Sequence, residues 1–413
     1  MSVRITTLRA WEILDSRGRP TLSVEARLSN GVSAVAQVPS GASTGRHEAV
    51  ELRDGDPRRY GGKGVLRAAA NVEGPISAAL SSQLAEDQAG IDHILCELDG
   101  TPNKSVLGAN ATLGSSCAVA RAVARSHGVP LWRYLAGPRS PRLPVPMVNI
   151  LSGGLHAGGN IEFQDFLVIP HGFPSYAASL EAVVAIHSTA RAVLERAGYQ
   201  LTGVADEGGW GPKLGSNREA LEILNRAIEE SGHAGKVSIA IDVASSQFFQ
   251  GGGYHLAHEG GTLDAGGMIA LLERWCDEFP VISIEDGLAE DDWDGWKLLT
   301  ARMGDRAQII GDDLFTTNPA RVRRGIDSRA ANAVLVKMNQ VGTLTETMQV
   351  VDMARQAGWK AVISARSGET EDSFLADLAV ATGAGQIKIG SVTRSERLAK
   401  YNRLIEIERD GGL

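Results

Sequence analysis

Cysteine is scarce and scattered: Cys96, Cys117 and Cys276 are the only three, and none stands in a Cys-x-x-Cys pair. That excludes a disulfide framework and a zinc ribbon and fits a reducing compartment. Long apolar runs are missing as well. No uninterrupted stretch approaches the ~20 residues needed to span a bilayer, and the N-terminus lacks a basic region followed by an apolar run. There is no basic surplus, since 41 Lys and Arg against 49 Asp and Glu leave a net charge of -8. Nucleic acid and membrane surfaces are therefore poor partners, and a cytoplasmic protein is expected. The loop Pro39 to Gly45 is small, flexible and hydroxyl-rich, yet it has no Gly-Lys-Ser/Thr ending and so is no P-loop. The 48 glycines are dispersed, which argues for many tight loops and against low complexity.

At 413 residues the chain exceeds one typical domain. Its first part reads as β before α. Thr21 to Ser29 alternates polar and apolar residues, Asn30-Gly31 offers a hairpin turn of the primed type, and Val32 to Val38 returns. Helical patterns follow over Gly64 to Leu80 and Ala109 to His127, so an α+β domain is expected over residues 1–136. The prolines and glycine of Gly137 to Pro144 suit a junction. Beyond it, over 137–413, strands and helices alternate. Leu344, Met348, Val351 and Ala354 share a helix face before the strand Ala361 to Ser364.

In that second part, strand after strand runs into a charge. Val237 to Ile241 leads to Asp242, Val281 to Ile284 to Glu285, and Ile309 to Gly311 to Asp312; Val334 to Val336 leads to Lys337, and Gln386-Ile387 to Lys388. These ends recur every ~20 to 45 residues, bracketing the ~30 per unit of a (β/α)8 barrel. A doubly wound open sheet competes, but no nucleotide fingerprint follows the first strand. Parallel barrel strands bring such ends to one rim. Buried charges are costly unless they meet partners, and three carboxylates with two lysines describe a site for a divalent cation and an anionic substrate. Each acid taken alone suits a helix cap or an arginine partner equally well; the argument rests on the set. Hard oxygen ligands favour magnesium or manganese over zinc. Other cations nearby push the pKa of a lysine down, so Lys337 is the candidate base, while Lys388 suits a carboxylate. Ala365-Arg366-Ser367-Gly368 offers a guanidinium, a hydroxyl and free backbone amides, a phosphate cradle. Val204 to Trp210 carries two acids beside paired glycines, which fits close ligand approach or a simple turn.

Several of these stretches together resemble the enolase family: Ile13-Leu14-Asp15-Ser16-Arg17-Gly18, the Ser40–Gly45 loop, Asp206-Glu207-Gly208-Gly209, Ser283-Ile284-Glu285-Asp286, Gly311-Asp312-Asp313-Leu314, Arg366 to Asp372, and Arg394-Ser395-Glu396-Arg397. The resemblance covers nearly the whole chain. It implies an α/β fold, an enolase-type (β/α)8 barrel whose first strands depart from simple alternation, with an α+β N-terminal cap. It also implies two magnesium ions per site, the second arriving with substrate, a homodimer or larger assembly, and conversion of 2-phosphoglycerate to phosphoenolpyruvate. By resemblance, Asp242, Glu285 and Asp312 match the first ion's ligands and Ser43 helps to hold the second. Lys337 matches the base at C2, Glu207 the acid on the departing hydroxyl, and Lys388 the carboxylate contact. Arg366 and Ser367 match the phosphate pair, His156 a histidine closing over substrate, and Gln164 and Asp165 further contacts. The Lys-x-Lys pair of mandelate- or muconate-type relatives is absent.

Departures from the family pattern gather on the leaving-group and phosphate side. Ala365 stands for a histidine, Asp165 for a glutamate one methylene longer, Ser152 for an asparagine, Gln247 for a glutamate and Arg19 for an asparagine. Three readings follow: an enolase-type lyase of 2-phosphoglycerate or a close analogue; an enolase-like enzyme of phosphonate synthesis, similar to carboxyphosphonoenolpyruvate synthase, with a phosphonylated carboxylate as substrate; and a catalytically silent binding protein. The retained acids and lysines argue against the third.

Overall fold

The computed structural model describes residues 2–42, 44–411 and 413. The chain opens on strand β1 (Ile5–Leu14), which pairs antiparallel with β2 (Pro20–Leu28), itself antiparallel to β3 (Ser33–Gln37). The sequence reading finds β2 and β3 but passes over β1, where Ile5, Leu8 and Ala10 carry a buried face interrupted by a register shift near Ile5 and Thr7. The hairpin turn also differs from expectation. Only Gly31 has positive φ (84°), not Asn30, and Leu28 N–H bonds to the Val32 carbonyl at 2.8 Å. A three-residue connection with glycine in the left-handed position results, rather than a two-residue primed turn.

Helices α1 (Leu66–Asn71) and α2 (Ser77–Leu80) are joined by a π turn holding Pro75, so the expected run to Leu80 is one kinked segment. Then come α3 (Gln88–Asp99), α4 (Ala109–Ser126) and α5 (Leu131–Ala136). Almost all of α4 is buried under β2 and β3. Its small residues permit that approach: a Cβ on Gly114 would lie 2.5 Å from Val24 Cγ2.

From β4 (Val145–Ser152) onward the chain closes a barrel. It adds β5 (Asp165–Pro170), α6 (Tyr176–Arg196), α7 (Asn217–Glu230) and β6 (Val237–Asp242). A small antiparallel sheet, β7 (Phe249–Gln250), β8 (Gly253–Leu256) and β9 (Gly261–Leu263), precedes α8 (Ala265–Glu278). Regular alternation follows through β10 (Val281–Glu285), α9 (Trp293–Met303), β11 (Gln308–Gly311), α10 (Pro319–Ser328) and β12 (Ala333–Val336). It continues through α11 (Met338–Val341), α12 (Leu344–Gln356), β13 (Lys360–Ser364), α13 (Phe374–Thr382), β14 (Gly385–Gly390) and α14 (Ser395–Gly411). The closed order is β10-β11-β12-β13-β14-β4-β5-β6. All neighbours are parallel except β5, which opposes both β4 and β6. The interior is packed, not hollow: Met147, Leu167, Ile169, Ala240, Ile310, Ala333, Leu335 and Val362 form a separate apolar cluster, drawn from β4 to β6 on one side and β11 to β13 on the other. Truncating Leu335 to alanine there should cost about 2–5 kcal/mol.

One helix, α6, is long and apolar enough to cross a membrane by length and composition alone. It serves here as an outer barrel helix, with Leu180, Val183, Ile186, Ala190 and Leu194 buried against the strands beneath.

Candidate active site

The barrel register brings the charged ends together. Glu285 lies beside Asp242 in the β10–β6 pair, and Asp312 and Lys337 directly follow β11 and β12. Lys388 departs from expectation, because β14 runs on to Gly390 and leaves this lysine inside the strand, aimed at the rim. Its ammonium donates to Asp242 Oδ2 at 2.8 Å and to Glu285 Oε2 at 2.7 Å. Lys337 Nζ donates to Asp312 Oδ2, whose other oxygen accepts from Gln340 Nε2 at 2.9 Å. The three acids are thus divided between two lysines instead of forming one tight group. Gln164 Nε2 donates to Asp242 Oδ2 at 3.2 Å, and Gln164 Oε1 accepts from Gln247 Nε2 at 2.6 Å.

Electrostatics follow from burial. Burial, with Asp242 beside it, drives the Glu285 carboxyl well above the usual range, although Lys388 pulls the other way. Its Oε1 is buried without a hydrogen-bond partner. Burial opposes the Lys337 charge but Asp312 outweighs it, so this ammonium is held above its ordinary value. The downward shift expected of a lysine surrounded by cations is not met here, where the nearest charge is a carboxylate. An orphaned carboxylate oxygen among like charges is what a hard dication relieves, so the residues present fit magnesium.

The cap loop reaches across to the far side of the rim. Ser40 and Gly368 exchange backbone hydrogen bonds at 2.8 and 2.9 Å, and Ala42 N–H donates to Ser367 Oγ at 2.8 Å. Three of the cradle's amides are engaged: Ala365 N–H goes to the Lys388 carbonyl, Arg366 N–H to Glu369 Oε1 and Gly368 N–H to the Ser40 carbonyl. Arg366, 3% exposed, donates to Glu48 and to Asn339 Oδ1. Ser43 lies outside the described residues.

A third group forms around His156, on a turn of 3-10 helix at Gly154–Ala157. Because β5 runs backwards, its first residue, Asp165, arrives at the same rim as the last residues of its neighbours, opposite Ser152 and Asp242. Asp165 is completely buried and accepts from Asn149 Nδ2, from Ser152 Oγ at 3.0 Å and from His156 Nδ1 at 2.8 Å. His156 Nε2 faces Glu207 Oε1 at 3.8 Å. Burial disfavours the imidazolium, but Asp165 and Glu207 prevail and raise His156 to about 9. Burial likewise opposes the Glu207 charge, and His156, Arg397 and the two lysines overcome it, leaving this carboxyl below its ordinary value. Each thus favours the charged form of the other.

Reading the sequence missed Glu48, Arg17 and Arg397 as site residues. Glu48 clamps Arg366 and accepts from Gly45 N–H at 3.0 Å. Arg17 links Asp15, the carbonyls of Ser40 and Gly41, and Ser367 Oγ. Arg397, fully buried, donates to the carbonyls of Arg366, Ser367 and Ile389. Arg17 and Arg397, the latter on α14, fall within stretches that resemble the enolase family, but nothing local marks them or Glu48 as site residues.

Comparison with known proteins agrees with this geometry. The family model described as "Enolase, N-terminal domain" matches residues 5–135, and "Enolase, C-terminal TIM barrel domain" matches 140–412. A protein of Rubrobacter xylanophilus named Enolase is 53% identical over 410 residues, covering 99% of this chain and 95% of that protein. A second, from Helicobacter hepaticus and also named Enolase, is 51% identical over 411 residues, covering 99% and 96%. A reversed second strand in an otherwise parallel barrel, a capping three-stranded sheet and identity at this level over nearly every residue place the chain in the enolase family, among enolase-type lyases.

Proposed function

We propose that this rim removes the proton beside a substrate carboxylate and expels the neighbouring hydroxyl as water, converting 2-phosphoglycerate or a close analogue into phosphoenolpyruvate or its analogue. The observation that carries the reading is the division of three buried acids between Lys337 and Lys388, with one Glu285 oxygen left without a partner. Asp242, Glu285 and Asp312 would hold magnesium, and Ser43 would help to hold a second ion; bound there, the metal would supply positive charge against the charge that builds up on the substrate carboxylate. Lys337, once Asp312 is engaged elsewhere, loses the contact that keeps it protonated and takes the C2 proton on Nζ. Lys388 and Gln164 orient the carboxylate, and Arg366 and Ser367 hold the phosphate. On the other side, His156 and Glu207 share a proton supply for the departing hydroxyl, with Asp165 fixing the imidazole. The test is ultraviolet detection of the enol product from 2-phosphoglycerate. Turnover that chelator abolishes and magnesium restores is expected; no turnover and no exchange of the C2 hydrogen in D2O would overturn the reading.

A second reading is favoured by Ala365, a buried methyl next to Arg366 where the family pattern has an imidazole. Removing imidazole opens room beside the phosphate contacts, which suits a phosphonylated carboxylate. Slow turnover of 2-phosphoglycerate that Ala365→His raises supports this substrate; fast turnover by the natural protein eliminates it.

A further inference from the structure

Asp286 sits immediately after Glu285 with φ of 45°, a left-handed conformation that disfavours most side chains, although glycine is the very next residue. Strain kept in this way calls for a compensating contact, and the carboxylate provides one. Oδ1 accepts the Asp312 N–H and Oδ2 the Asp313 N–H, both at 2.9 Å. The backbone does as much: Asp286 N–H donates to the Ile310 carbonyl at 3.0 Å, and its carbonyl accepts from Ser245 N–H at 3.2 Å and Ser245 Oγ at 2.8 Å. Val243 N–H, one residue past Asp242, bonds to the Glu285 carbonyl at 2.9 Å. One buried residue therefore ties together the ends of β6, β10 and β11, each of which carries one of the three acids assigned to the cation.

Asp286, Asp312 and Asp313 also bring carboxylate oxygens close to one another. Both Asp286 oxygens are committed to backbone amides, so this trio is better understood as scaffolding than as a separate ion site. We infer that Asp286 is a positioning residue, whose carboxylate sets the angle at which Asp312 meets Asp242 and Glu285 and thereby the affinity of the cation site. This rests on the magnesium reading above.

The experiment is calorimetric titration of magnesium alone into the full chain, freed of metal and without substrate, with Tm measured in chelator on the same samples. Asp286→Asn retains size and tolerance of the left-handed conformation but turns one acceptor into a donor facing an amide N–H. Its magnesium dissociation constant should rise about 10- to 100-fold, as for other partners of metal ligands, and Asp286→Glu should recover part of the loss if it regains both acceptors. An affinity within twofold of the natural protein, with only Tm lowered, would overturn the proposal and leave Asp286 a purely structural residue. If Asp286→Asn does not fold, Ser245→Ala removes one bond to the same residue; a two- to fivefold weakening is expected, and an unchanged constant overturns the proposal. Failure of the natural protein itself to bind magnesium refutes the underlying cation reading instead, so the two failures are distinct.

Discussion

The two halves of the rim are built differently. On one side, Asp242, Glu285, Asp312, Lys337 and Lys388 stand in or next to barrel strands, fixed by a ladder of main-chain bonds. On the other, His156 and Glu207 come from a short turn and a loop; the His156 carbonyl accepts from Asp206 N–H, the Glu207 carbonyl from Ser391 N–H, and the two side chains face each other at 3.8 Å. The strand-borne half carries excess negative charge that its own lysines do not fully satisfy. The loop-borne half places one cationic imidazole between two carboxylates. A strand-borne array with an unpartnered carboxylate oxygen suits a cation, whereas a protonated imidazole between carboxylates suits proton delivery.

The largest effect separating the halves is expected from Lys337→Ala. Loss of a positioned base typically costs about 10² to 10⁴ in rate, and exchange of the C2 hydrogen into D2O should vanish together with turnover. Glu207→Gln should cut turnover while leaving that exchange measurable. If both variants lose exchange equally, the two sides do not divide the proton work as argued. Next in size is Glu285→Gln. A neutral amide removes the cost of burying this charge and its repulsion from Asp242, the two largest causes that raise the carboxyl, so Tm in chelator should equal or exceed that of the natural protein. In excess magnesium the order should reverse, because binding stabilises the folded state by mass action. The magnesium constant should weaken by more than the about 10- to 100-fold typical of an outer partner. A variant less stable in both conditions would show Lys388 to need Glu285 more than the cation does.

The same contrast governs what could be read in advance. Acids and lysines ending apolar strands were visible because a buried strand has no reason to finish in a charge unless something meets it, and parallel strands share a rim. Asp165 broke that rule by lying at the start of a strand, and only the reversal of β5 explains its arrival. β1 was passed over because its alternation is interrupted and four of its last residues are exposed or half-buried. His156 is legible only through family resemblance, and Glu207 only as one of two acids beside paired glycines until that resemblance gives it a role, since turn residues show no periodicity. Glu48 and Arg397 act through contacts 318 and 31 residues away in sequence, which no local pattern displays.

The smallest expected effect belongs to the loop-borne half and concerns pH. His156 titrates at about 9 in the folded protein against an ordinary value of 6.5. A raised histidine stabilises the fold fully below its unfolded pKa, and the contribution disappears as pH rises through the folded value. Between pH 6.5 and about 9 the metal-free protein should therefore lose stability that a His156→Gln variant does not lose. Asp165→Asn removes the strongest charge holding that proton, leaving Glu207 at 3.8 Å to oppose the burial of the ring. The imidazole midpoint, followed by NMR of the ring nitrogens, should fall toward or below 6.5, and the slope of stability with pH should flatten. Asp242→Asn lies among the more distant contributors and should move the midpoint much less. A midpoint that stays near 9 in Asp165→Asn would assign the proton to Glu207, and the loop-borne half would then be organised around the glutamate rather than the reversed strand.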